Sequence, residues 1–272
     1  PVQWPICVNM TTMLSILWLI GHESMTFDIA LLAGAFLVVA VLYSSVGHAG
    51  ATGYLAVMAI AGMSPSLMKP TALTLNIIVA TIATYKYYKR GAFSWQLFLP
   101  LVIASFPFAY LGGRITLPPE YYKPLVGLFL LYAAWRALAT SKKGPDYEIK
   151  PVSWPVLIAS GAALGFLSGV TGVGGGVFLS PLMLLMHWAP LRVISGVAAA
   201  FILVNSLSGL AGLLSTGILI APGLPWWALT VLIGGFIGAE YGSGRFKPNT
   251  IQRLLAVTLL IAGIKLTSSI FL

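Results

Sequence analysis

The sequence is short of charge and of cysteine. Of its 272 residues only 8% are charged, and six are acidic. Soluble domains carry about 25% charged residues, so a water-soluble globular chain is excluded. The one cysteine, Cys7, can form neither an intrachain disulfide nor a cysteine metal cluster. No GxxxxGK[ST] phosphate loop occurs, so this chain consumes no ATP, and no HExxH pair marks a zinc peptidase. Ser168 sits in Phe166-Leu-Ser-Gly without the preceding glycine of a membrane serine-protease signature. No enzymatic activity, cofactor or bound metal is therefore expected.

What the chain has instead is apolar length. Hydrophobic residues make up 58% of it, and the mean hydropathy is +0.95, the composition of a polytopic membrane protein. The net charge of +9 is scattered over short loops. It suits cytoplasmic loops facing anionic lipid and gives no support to nucleic-acid binding. The apolar stretch Thr11–Ile20 lacks a basic leader and a cleavage site. It is also too short to span, so the 1–26 segment is expected to hold an interfacial helix. Apolar spans follow at about 28–46, 67–87, 95–113 and 122–139, then at 154–171, 192–214, 226–243 and 251–269. Two shorter pieces, 54–63 and 177–188, are too short to cross.

Glycine organises the rest. Five glycines fall between Gly169 and Gly176, a cluster that interrupts a helix at about 1 kcal/mol per glycine. A helical pattern resumes at Val177, so the cluster precedes a helix N-terminus, where free N–H groups favour an anion. The stretch has an earlier copy: Gly47-His-Ala-Gly-Ala-Thr-Gly53 matches Gly172-Val-Gly-Gly-Gly-Val-Phe178 at an offset of 172 − 47 = 125. Ser64-Pro65 matches Ala189-Pro190 at the same offset. The chain is an internal duplication, with repeat 1 over 27–140, a linker over 141–151 and repeat 2 over 152–272.

Loop charge predicts the orientation. Lys86, Lys89 and Arg90 close one span of the first repeat, whereas the matching loop, Ser215–Pro225, has no charge. The linker carries Lys142, Lys143 and Lys150, and the last long loop carries Arg245, Lys247 and Arg253. Basic loops lie in the cytoplasm, so equivalent loops fall on opposite faces and the repeats are inverted. The expected fold is all-α: two inverted repeats of about five membrane segments each. Inversion also requires each glycine loop to be the deep end of a helical hairpin, and the two loops then meet near the midplane, as in secondary transporters.

The duplicated halves, the Gly172-Val-Gly-Gly-Gly loop with Pro181 after it, and the Gly47-His-Ala-Gly counterpart resemble the TauE/SafE sulfite exporter family across about 28–270. The resemblance implies a multi-pass protein of the cell inner membrane that transports small sulfur-containing anions such as sulfite and sulfoacetate. An anion channel, or an uptake permease for sulfate or thiosulfate, is the alternative. A proton as coupling ion and a homo-oligomeric assembly both stay open. The first repeat departs from the second in having Ala49 and Ala51 where the second has Gly174 and Gly176.

The candidate substrate-binding residues are Gly47, His48, Gly50 and Gly53 of the first loop and Thr171, Gly172, Gly174, Gly175 and Gly176 of the second. The glycines offer backbone N–H groups to an anion; close helix packing is the competing role. His48 is the one ionisable residue in either loop and can pair with an anion or carry a proton. Asn76 and Asn205, in the spans after the two half-helices, can donate to an oxyanion or bond between helices. Lys69 and Arg192 follow the matching prolines and are candidate cationic mouths of an anion path, with headgroup snorkelling as the competing role.

Overall fold

The computed structural model describes residues 29–44, 49–140, 148–217, 221–241, 259–261 and 263–268. The 1–26 segment, Gly47, His48 and most of the 141–151 linker lie outside the described residues. Within them every regular element is a helix. In chain order these are α1 (Ile29–Ser44), α2 (Ala51–Ile60), α3 (Pro65–Lys89), α4 (Trp95–Arg114), α5 (Pro119–Thr140), α6 (Trp154–Thr171), α7 (Gly176–Leu185), α8 (Leu191–Leu214), α9 (Leu224–Tyr241) and α10 (Leu259–Ser268). Helices α3, α4, α6 and α8 are long and apolar enough to cross a bilayer. Helices α2 and α7 have ten residues each, about 15 Å at 1.5 Å per residue, half the usual hydrocarbon thickness.

The helix starts follow from local chemistry. Ser64 and Ser153 precede α3 and α6 in extended backbone, with a proline in the first turn, where its missing N–H costs nothing. The two short helices begin alike: α2 follows Gly50 at φ 96° and α7 follows Gly175 at φ 79°. A side chain is disfavoured in this left-handed backbone, so glycine lets the chain turn sharply into a new helix.

Small residues set the packing. Gly161, Gly165 and Gly169 form a four-residue ladder on α6, and Cβ atoms there would collide with Leu101, Ser105 and Ala109 of α4. The backbones of α4 and α6 therefore touch, the close approach that glycine permits between membrane helices. On the other side of α4, Gly212 of α8 abuts Tyr110, and Ser208 Oγ donates to Phe106 O at 2.5 Å. Numbers rise together in these contacts, so α4, α6 and α8 run in the same direction. Helix α3 runs against α8: Gly196 packs on Tyr87 and Ala92, whereas Asn76 reaches Ser206.

Contacts recur in exchanged form at the offset of 125. Gly169 of α6 packs on Gly113 of α4; Ser44 of α1 packs on Gly238 of α9. Likewise α4 packs on α8 while α9 packs on α3, and α2 lies on α3 as α7 lies on α8. One backbone bond, from Lys150 N to His187 O at 2.8 Å, ties the chain just before α6 to the turn just after α7.

Two lysines of α3 hold the ends of other helices. Lys69 Nζ donates to Gly113 O at 3.0 Å, Ile115 O at 2.9 Å and Gly112 O at 3.4 Å, at the C-terminus of α4. Lys86 Nζ pairs with Glu240 at 2.5 Å and lies 4.2 Å from the centre of the Phe236 ring, at the C-terminus of α9. A cation at a helix C-terminus meets the negative end of the dipole and the free carbonyls.

Candidate functional site

The second glycine loop is buried throughout, from Thr171 to Gly176. Gly172, Gly174 and Gly175 all have positive φ, between 77° and 80°. Thr171 shapes the turn into it: its hydroxyl donates to Leu167 O at 2.7 Å and accepts from Val173 N at 3.3 Å. Tyr122 of α5 donates to Thr171 O at 3.0 Å. Beyond the turn, the N–H groups of Phe178 and Leu179 return to Gly175 O. Those of Gly174, Gly175, Gly176 and Val177 meet no acceptor among the described residues. They are the orphan donors of a helix start, held inside protein rather than in water.

Three long helices surround this loop. A Cβ on Gly174 would lie 2.8 Å from Asn76 Nδ2 and 3.2 Å from Ser206 Oγ; one on Gly175 would lie 2.8 Å from the Phe201 ring and 3.3 Å from Ser168 Cβ. Gly172 touches the stem of Lys69, where a Cβ would lie 3.1 Å from its Cγ. So α3 contributes Lys69 and Asn76, α6 contributes Ser168, and α8 contributes Phe201 and Ser206. Asn76 lies near the middle of the 25-residue α3, and Ser206 near that of the 24-residue α8. The loop is thus level with the centres of the two longest helices.

Several polar atoms here have no partner. Asn76 Oδ1, Asn205 Oδ1, Ser168 Oγ and Thr71 Oγ1 are buried without a hydrogen bond, and all four residues are at most 1% exposed. Buried polar groups are nearly always paired, so Asn76 and Ser168, which lie against Gly174 and Gly175 beside the orphan N–H groups, mark a place for a polar guest.

The expected site residues separate in this geometry. Gly172, Gly174, Gly175 and Asn76 come together. Thr171 sits at the entrance to the loop with its hydroxyl already engaged. Gly176 packs on Ile202, and Gly53 packs on Val39 and Tyr43 of α1, so both serve close helix approach. Gly50 lies under the Tyr54 ring, where a Cβ would sit 2.9 Å from Cζ. Asn205 Nδ2 donates to Phe201 O, one turn back in its own helix, at 2.8 Å. Lys69 stands at no exposed mouth: it is 5% exposed and bonded to α4. Arg192 is exposed, at the start of α8. Gly47 and His48 lie outside the described residues. Sequence reasoning missed Ser206, Phe201 and Tyr122. Ser206 directly follows Asn205, but serine and phenylalanine are too common in membrane helices to single out.

A chain of apolar helices closed around a buried polar centre is a polytopic membrane protein of the kind that moves solutes. Its sequence matches the family model described as "Sulfite exporter TauE/SafE" over residues 31–266. The chain belongs to this family of membrane transporters. It is 40% identical over 238 residues to the "Probable membrane transporter protein y4hK" of Sinorhizobium fredii, covering 86% of this chain and 96% of that protein. It is 25% identical over 258 residues to the "Probable membrane transporter protein YjnA" of Bacillus subtilis, covering 87% and 98%. No solved structure matches it.

Proposed function

We propose that this transporter exports sulfite or a small organosulfonate anion such as sulfoacetate across the cell inner membrane, by alternating access around its two glycine loops. The observation that carries this reading is the buried loop at Gly172–Gly175, with unpaired N–H groups set among Asn76, Ser168 and Lys69. Sulfite and sulfonate groups each carry three acceptor oxygens for such donors, and a cation has none. No acidic side chain approaches the loop among the described residues. The stem of Lys69 lies against Gly172, and its ammonium is held on the carbonyls at the end of α4.

The exchanged contacts support an inverted pair of repeats. Antiparallel α3 and α8 are equivalent in sequence, as inversion across the membrane requires. The common direction of α6 and α8, with the bond from Lys150 to His187, supports a hairpin that enters and leaves on one face. Reconstitution into proteoliposomes tests the function, with sulfite, sulfoacetate, sulfate, thiosulfate and chloride as solutes. Saturable flux of sulfite or sulfoacetate with counterflow is the expected result. Unsaturable flux of all five would mean a channel, and no flux of any sulfur oxyanion would overturn the reading.

A further inference from the structure

We propose that Arg90 and Arg192 together hold the headgroup of an anionic phospholipid, at the seam where the end of α3 meets the start of α8, with its acyl chains lying along α4. This surface is separate from the glycine loop and does not depend on which solute is carried.

The seam brings the two arginines together. A Cβ on Gly196 would collide with Ala92 O and lie 3.3 Å from Tyr87 Cβ, so α8 rests directly on the turn that ends α3. Tyr87 and Ser195 share a side-chain hydrogen bond across it. Arg192 lies four residues before Gly196, on the same face of α8 and one turn nearer its start. Arg90 lies two residues before Ala92. They flank one contact, and the Tyr87 hydroxyl feels the charge of both. Both are exposed, with exposed Lys89 beside Arg90. Neither arginine makes an ion pair among the described residues, where Glu240 is paired with Lys86. A guanidinium presents a fork of N–H donors that matches a phosphate.

The neighbouring surface identifies the occupant. Exposed Tyr88 and Trp95 pack edge to face with Phe93, at centroid distances of 5.8 Å and 5.1 Å, and lie 6.4 Å from each other. Tyrosine and tryptophan collect at the headgroup level of a bilayer. From Trp95, exposed Leu99 and Ile103 continue at four-residue spacing along one face of α4, a helix long enough to cross. An apolar stripe thus leads from the cations into the hydrocarbon. A soluble anion would engage the charge and leave the rings and the stripe bare. A phospholipid with a net negative headgroup engages all three. A zwitterionic headgroup brings its own cation to a patch that is already positive, so it fits less well.

Native mass spectrometry of the purified full chain tests this, with phosphatidylglycerol and phosphatidylcholine of identical acyl chains titrated in turn. The unaltered chain should bind phosphatidylglycerol more tightly. Arg90→Gln and Arg192→Gln should each weaken phosphatidylglycerol about fivefold, the worth of one cation beside an anionic lipid, and leave phosphatidylcholine unchanged. Arg114→Gln removes the same charge at the opposite end of α4 and should keep the preference. Equal binding of the two lipids by the unaltered chain overturns the inference, and that comparison needs no variant to fold. A preference that survives in both arginine variants, or is lost equally in Arg114→Gln, overturns the assignment to this seam. Inorganic phosphate is the third probe: displacement of phosphatidylglycerol by phosphate at equal concentration would make this a soluble-anion site and overturn the lipid as its occupant.

Discussion

Lys86 of α3 and Glu240 of α9 meet at 2.5 Å, which sets the C-terminal ends of these helices side by side. Lys89 and Arg90 close α3 at that same end of the bundle. The opposite end of the bundle holds Thr216, at the far end of α8. Single cysteines at Lys89 and Thr216, in a Cys7→Ser background, should label from opposite sides with an impermeant maleimide. Labelling from the same side would overturn the inverted arrangement.

Gly175→Val should abolish transport. Its backbone has φ 79°, and a Cβ there would sit 2.8 Å from the Phe201 ring. Gly217→Ala is the control: its φ is 78° with nothing within 4 Å of the added atom. Both changes carry the backbone strain of a side chain in left-handed geometry, about 1–2 kcal/mol. The control should lose a little thermal stability and keep its flux. Native flux in folded Gly175→Val would return the glycine cluster to a packing role.

Lys69→Met should lower stability. Three carbonyls at the end of α4 lose their donor, and a charged hydrogen bond is worth about 1.5–3 kcal/mol. A thermal-shift assay should show a lower midpoint, partly restored in Lys69→Arg. An unchanged midpoint with reduced flux would instead give Lys69 a direct part in the anion path.

Gly165→Leu should prevent assembly of the helix bundle. A Cβ there would already lie 2.5 Å from Ser105 O and 2.6 Å from Ser105 Cα, and backbone cannot rotate away as a side chain can. Gly34→Ala, on α1 with nothing within 4 Å, should fold normally. Size-exclusion profiles of the two variants check this, and a monodisperse Gly165→Leu would contradict the α4–α6 contact.

The span boundaries were legible in the sequence wherever an apolar run ended in proline, glycine or charge. The expectation for 154–171 coincides with α6, and those for 95–113 and 192–214 fall within one residue of α4 and α8. The two short pieces were also recognisable, because Gly50 and Gly175 announce a restart. Site roles were harder to read. A glycine that receives a ligand and one that receives a neighbouring helix look alike in sequence, so sequence alone groups Gly53 and Gly176 with Gly174. Lys69 was misleading for a related reason. Its position near a helix start suggested the surface, but the carbonyls that bury it belong to α4, more than 40 residues away, and no local pattern records that.

The two lysines of α3 have a consequence for the resting molecule. They lie 17 residues apart, about 25 Å along a helix, and grip the ends of the equivalent helices α4 and α9. The matching positions of α8 are Ile194 and Ala211, which can grip nothing. In a perfect inverted duplication, the inward-open and outward-open forms are the same object turned over, and their energies are equal. Ties carried by one copy alone remove that degeneracy. Under the inverted arrangement proposed above, the empty protein therefore has a preferred side to face, set by two side chains on one helix.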